Sequence, residues 1–112
     1  MTLDSFVRKN KIDRIDFIRM DVEGYEVEVI KGMLNTLQNM PPPLKLFFEI
    51  HNKVFEEPET TIGPILEQLL TFGFKPKYII LPNKILNNVS ANDFIRIICS
   101  YRYECPHILL EK

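Results

Sequence analysis

The sequence predicts an α/β layer fold, on three observations. Apolar periodicity switches back and forth between helical and strand-like spacing along the chain. The run Leu44-Lys45-Leu46-Phe47-Phe48-Glu49-Ile50 is apolar at nearly every position, which predicts a strand buried on both faces of a parallel sheet. Finally, 112 residues with 46% apolar and 26% charged content suffice for a single core but not for two.

Each element has a local reason. Thr2 is an N-cap, with Asp4 in the first turn and Leu3, Phe6 and Val7 at helical spacing, so a short helix runs to about Asn10-Lys11. Ile15 to Met20 reads as a strand that ends at Asp21. Val22-Glu23-Gly24 makes the turn into a helix extending to about Gln38, with Val27, Ile30, Leu34 and Leu37 as its apolar stripe. Gly32 inside that helix marks a bend or close packing. Pro41-Pro42-Pro43 stops the helix, because proline removes donors and restricts the residue before it.

After the apolar strand, the acidic loop Glu56-Glu57-Pro58-Glu59 leads to an N-cap at Thr60-Thr61. The helix that follows carries Ile65, Leu66, Leu69, Leu70 and Phe72, and Gly73 ends it. Lys77 to Leu81 and Asp93 to Tyr101 are expected as the next two strands. Pro82-Asn83-Lys84 and Asn87-Asn88 form loops between them. Pro106 to Leu110 is expected as a short edge strand. The order contains two strand–helix–strand crossovers.

Fourteen Lys+Arg against fifteen Asp+Glu give a net charge of −1. That balance argues against a nucleic-acid partner bound through phosphate neutralisation. The triplet Tyr101-Arg102-Tyr103 is too small a platform to change this. No apolar run could span a bilayer, so no membrane partner is expected. Cys99 and Cys105 cannot form a disulfide framework, which points to a reduced, cytoplasmic protein.

In open α/β sheets, ligands bind beyond the carboxyl ends of the strands. Two segments qualify: Asp21-Val22-Glu23-Gly24 and Glu49-Ile50-His51-Asn52. If their strands are parallel neighbours, Asp21, Glu23, Glu49 and His51 converge on one rim. Such a set suits a divalent metal held through oxygen ligands, or a proton acceptor for a substrate hydroxyl or amine. Each residue also has a plain reading. Glu23 and Glu26 favour the helix macrodipole wherever they occur in a first turn. His51, beside Asn52 and Lys53, reads equally as a solvated loop residue. Glu49 in an apolar strand is harder to dismiss, because an unpaired buried carboxylate is costly. Cys105-Pro106-His107 with Cys99 matches no recognised zinc spacing.

Thr2-Leu3-Asp4-Ser5-Phe6 and the run from Ile15 to Met33, centred on Asp21-Val22-Glu23-Gly24, resemble the FkbM family of S-adenosylmethionine-dependent methyltransferases. Phe48-Glu49-Ile50-His51 is similar to that family's next strand. The resemblance implies a Rossmann-like class I methyltransferase sheet of seven strands, with residues 1–112 as its C-terminal part. The strands ending at Asp21 and at Glu49 would be the fourth and fifth. Lys77 to Leu81 and Asp93 to Tyr101 would be the sixth and seventh. The implied activity is methyl transfer from S-adenosylmethionine to a hydroxyl oxygen of a sugar or similar small metabolite. Asp21 would lie near donor and acceptor, and Glu23, Glu49 and His51 would shape the acceptor side.

The Gly-rich turn and ribose-binding acid of a complete fold are not among these residues, so the reading expects an incomplete or split enzyme. It also expects a homodimer or a partner chain along the strand from Ile15 to Met20, whose apolar edge lacks a neighbour. Two other readings stand beside it. One is a non-catalytic, self-associating interaction module. The other is a metal-dependent nuclease using Asp21, Glu49 and His51, against which count the missing Lys two residues after Glu49 and the lack of basic excess.

Overall fold

The Thr2 hydroxyl accepts the Ser5 N–H at 3.1 Å and so starts α1 (Leu3–Lys9). The computed structural model describes residues 1–52, 55, 57–101 and 104–112. Lys53, Glu56, Arg102 and Tyr103 lie outside these, so the acidic loop and the aromatic–basic triplet are described only in part. The remaining elements are β1 (Phe17–Met20), α2 (Glu26–Lys31), α3 (Leu34–Asn39), β2 (Lys45–Glu49) and α4 (Ile62–Thr71). They continue with β3 (Lys75–Leu81), β4 (Lys84–Asn87), α5 (Ala91–Ser100) and β5 (His107–Glu111).

The five strands form one sheet in the order β1-β2-β5-β3-β4. β1 and β2 are parallel, pairing Phe17 with Lys45 and Met20 with Phe48. β5 runs antiparallel to both β2 and β3, and β4 antiparallel to β3. β1, β2 and β3 therefore point the same way, and both expected crossovers are present. The first passes through α2 and α3, the second through α4. The carboxyl ends of β1 and β2 and the amino end of β5 meet at one rim.

Burial alternates along the strands. Leu46, Phe48, Ile108, Leu110 and Ile79 are inaccessible and join Ile30, Leu37, Leu66, Leu69, Phe94 and Ile98 of the helices in one cluster. Fully burying a Leu, Ile or Phe side chain is worth about 1.5–3 kcal/mol, so this cluster decides which way each element turns. The opposite sheet face is only half covered: Phe47, Glu49 and Leu109 are intermediate, and Phe17 is 53% exposed. β2 is thus buried on one face, although its composition predicted two.

Four further expectations need correction. Asp93 to Tyr101 is not a strand; residues 91–100 are helix α5. Ser90 Oγ accepts the Asp93 N–H at 3.2 Å and caps it. A strand there would put Arg96 on the same face as Phe94 and Ile98, whereas the helix buries those two and leaves Arg96 in solvent. The tail is not an edge strand: β5 lies inside the sheet, where Ile108 and Leu110 are fully buried. Residues 84–87 form β4, joined to β3 by the two-residue turn Pro82-Asn83. The helix expected to run to Gln38 is two helices, broken at Gly32 and Met33. A Cβ at Gly32 would come within 3.1 Å of the Thr2 side chain, so the glycine marks close packing against the start of α1.

Candidate functional site

The turn between β1 and α2 uses two consecutive left-handed residues, Glu23 at φ 46° and Gly24 at φ 103°. Glycine takes this conformation freely, whereas Glu23 does so at a cost of roughly 1–2 kcal/mol. After the turn, Glu26 enters the first turn of α2 with its side chain fully buried (0% exposed). A helix-dipole role requires no such burial.

Glu26 is held there by His51. Its Oε1 accepts the His51 backbone N–H at 2.9 Å and also meets His51 Nδ1. The ring nitrogen facing a carboxylate carries the proton, which leaves Nε2 as the nitrogen available for other work. That Nε2 stands 3.7 Å from Glu49 Oε2, and His107 Nε2 stands 3.6 Å from the same oxygen. His107 is further fixed by stacking on Phe47, with ring centroids 5.9 Å apart. Glu49, His51 and Cys105 bring one ligand atom each to within 4.8 Å of one another.

The next residue secures this corner. Asn52 is fully buried, and its side-chain amide donates at 2.8 Å to the carbonyls of Ile98 and Tyr101. It thereby caps the C-terminal end of α5 and pins that helix to the end of β2. Glu26 Oε2 and Asn52 Oδ1 are buried and accept no hydrogen bond among the described residues.

Asp21 and Glu23 present a different picture. Both follow β1 at the shared rim, and both are exposed. Neither joins the close group of Glu49, His51 and Cys105. Nor does either line the two clefts described, of about 620 Å³ beside α1 and α3 and about 350 Å³ beside β3. Asp4 is not confined to its own first turn. Its carboxylate accepts the Asn35 and Thr36 N–H groups at 3.1 and 2.8 Å and caps α3.

Reading the sequence placed His51 and Glu49 on the rim but missed the weight of Glu26, Cys105 and His107. A usable signal was present. Glu49-x-His51 and Cys105-x-His107 are both i, i+2 pairs, and on a strand such residues share a face.

No helix among the described residues is long and apolar enough to cross a membrane. Comparison with curated proteins and with solved structures gives no significant match. The family model described as the methyltransferase FkbM domain matches residues 1–103, taking in the Asp21–Gly24 turn, β2 with His51, and α4 and α5. On that match over most of its length, the chain belongs to the FkbM methyltransferase family.

Proposed function

We propose that this chain forms the acceptor-side part of an S-adenosylmethionine-dependent methyltransferase acting on a hydroxyl oxygen of a sugar or similar small metabolite. The observation that carries the reading is the family match over residues 1–103. The mixed five-stranded sheet is consistent with it: we read β1, β2 and β3 as strands four, five and six of the larger fold, and β5, in place of the expected Asp93 to Tyr101, as the seventh.

The rim fits one side of such a cofactor only. A nucleoside cradle uses clustered backbone N–H groups of a Gly-rich turn and an acid for the ribose. The four glycines here stand singly at 24, 32, 63 and 73. Bound S-adenosylmethionine would supply an electrophilic methyl group, but these residues alone do not enclose it. What they offer is an acceptor surface. Carboxylates accept hydrogen bonds from sugar hydroxyls, and Asp21, Glu23 and Glu49 line the rim for that task with His51 beside them. The left-handed backbone at Glu23 is the kind of strain found at ligand-binding turns.

A segment that completes the cradle, whether of this polypeptide, a second copy or a partner chain, would pair along β1. β1 is an edge strand of the sheet, and Phe17 stands exposed on it, which supports pairing there. The test is calorimetric titration of S-adenosylmethionine into the chain, with its oligomeric state set by light scattering. Micromolar binding lost in Asp21→Ala is the expected result for a self-associated chain. A folded, self-associated chain that binds nothing, and whose association is unchanged in Asp21→Ala, would mean an interaction module instead.

A further inference from the structure

Four residues with metal-ligating side chains sit at the end of one antiparallel ladder. β2 and β5 pair Glu49 with His107, and the Ile50 N–H donates to the Pro106 carbonyl at 2.9 Å beyond that pair. Continued by one more residue, the register sets His51 opposite Cys105. The i, i+2 rule then puts Glu49, His51, Cys105 and His107 on the same face, at the corners of a four-residue patch.

The spacings between Glu49 and the two imidazoles are not those of hydrogen bonds. Glu49 Oε2 lies 3.7 Å from His51 Nε2 and 3.6 Å from His107 Nε2, longer than N–H···O bonds of about 2.7–3.2 Å. Two donors on one tetrahedral zinc ion, at bonds of about 2.0–2.3 Å, stand roughly 3.3–3.6 Å apart. The Glu49, His51 and Cys105 atoms all fall within 4.8 Å, so side-chain shifts of roughly 1 Å bring them to zinc distances. The outer residues also conform. A zinc-bound histidine usually gives its other ring N–H to a carboxylate, and His51 Nδ1 meets the buried Glu26.

We propose that Glu49, His51 and Cys105 form a zinc site with an open fourth position for water or an oxygen donor of a substrate. A thiolate, an imidazole and a carboxylate together favour zinc over magnesium or calcium, which take all-oxygen sets. This differs from the oxygen-rich metal set the sequence suggested, because Cys105 takes the place of Asp21 and Glu23. Three protein ligands with one exchangeable position is the pattern of zinc sites that act on substrates. His107 borders the site and is not required to hold the ion. The inference is independent of methyl transfer, since it needs no cofactor.

The test is titration of the metal-free chain with Co²⁺ as a spectroscopic stand-in, followed by competition with Zn²⁺. One equivalent should bind, with the intense visible bands of a tetrahedral ion and a thiolate-to-cobalt charge-transfer band. Zn²⁺ should displace it. Cys105→Ser should abolish the charge-transfer band, while Cys99→Ser and His107→Ala retain it. Glu26→Gln should weaken zinc binding 10–100-fold, as loss of a carboxylate behind a ligating histidine does. Circular dichroism identifies variants that keep the fold. Zinc-edge X-ray absorption on the unsubstituted chain answers the same question without mutation, by one sulfur among the nitrogen and oxygen neighbours. No stoichiometric binding, a sulfur-free zinc shell, or a band surviving Cys105→Ser would overturn the proposal. Loss of binding in His107→Ala would overturn the open fourth position.

Discussion

The carboxyl edge of the sheet has two halves that hold their acids differently. Beside β1, Asp21 and Glu23 stand in solvent on a turn with left-handed backbone. Beside β2 and β5, Glu26 is fully buried, His51 is clamped to it, and Glu49 lies between two imidazoles. Exposed carboxylates keep their hydration and depend on a ligand or partner to be organised. Buried ones must be organised by the fold itself, because a charge without partners inside the protein is costly. The β1 half resembles a surface awaiting its complement, while the β2 half is already built.

That contrast has a direct test in stability. Glu26→Ala removes the acceptor for the His51 backbone N–H and for Nδ1, and leaves a void in α2. Losing the partner of buried donors costs about 2–4 kcal/mol, read by urea unfolding. Asp21→Ala, made in parallel, should stay within about 0.5 kcal/mol of the parent, as surface substitutions do. Equal losses at the two sites would erase the distinction.

A somewhat smaller effect is expected at Asn52, which ties the built half to α5. Asn52→Ala leaves the carbonyls of Ile98 and Tyr101 without their donor, at a cost of about 1–3 kcal/mol. Hydrogen exchange should show the C-terminal turn of α5 opening before its first turn. Uniform protection along the helix would argue against Asn52 as its anchor.

The least effect belongs to the other end of α5, which is capped in solvent. Hydrogen bonds from Arg96 and Ser90 hold the Asp93 carboxyl below its usual value of 3.8. A lowered carboxyl value means stabilisation that is present above pH 3.8 and is lost as pH falls through the folded-state value. Asp93→Asn should therefore be slightly less stable than the parent at pH 7 and converge with it as pH falls below the folded-state value. A change of the same size at pH 7 and pH 3 would show that the carboxylate charge is not what matters.

How much of this was legible in the sequence differs between elements. The N-cap at Thr2, the strand ending at Asp21 and the helix stop at the triple proline are local, and each was read correctly. Through α5 and its C-cap the apolar residues Phe94, Ile97, Ile98 and Tyr101 keep the i, i+3, i+4, i+7 spacing of a helix, and the strand expectation gave too much weight to the apolar density of the segment. The Ser90–Asp93 cap was the local clue that would have decided for helix. The tail was misread for another reason: nothing in residues 107–111 says whether a strand has one neighbour or two. For the site, Glu49 and His51 were legible because polar residues ending an apolar strand stand out. Glu26 resembled any acid at a helix start, and Cys105-Pro106-His107 matched no metal spacing by itself.

From the sequence alone came the family signature, the α/β class, the β1–β2 crossover and the positions of the rim. These rest on short-range patterns: side-chain period, capping residues and the proline and glycine breaks. Only the tertiary structure decided that the tail enters the sheet between β2 and β3. That insertion sets Cys105 and His107 across from His51 and Glu49, more than fifty residues away in the chain. Strand neighbours are chosen by which apolar faces can be buried together, and that choice is made by the whole core, not by any local segment.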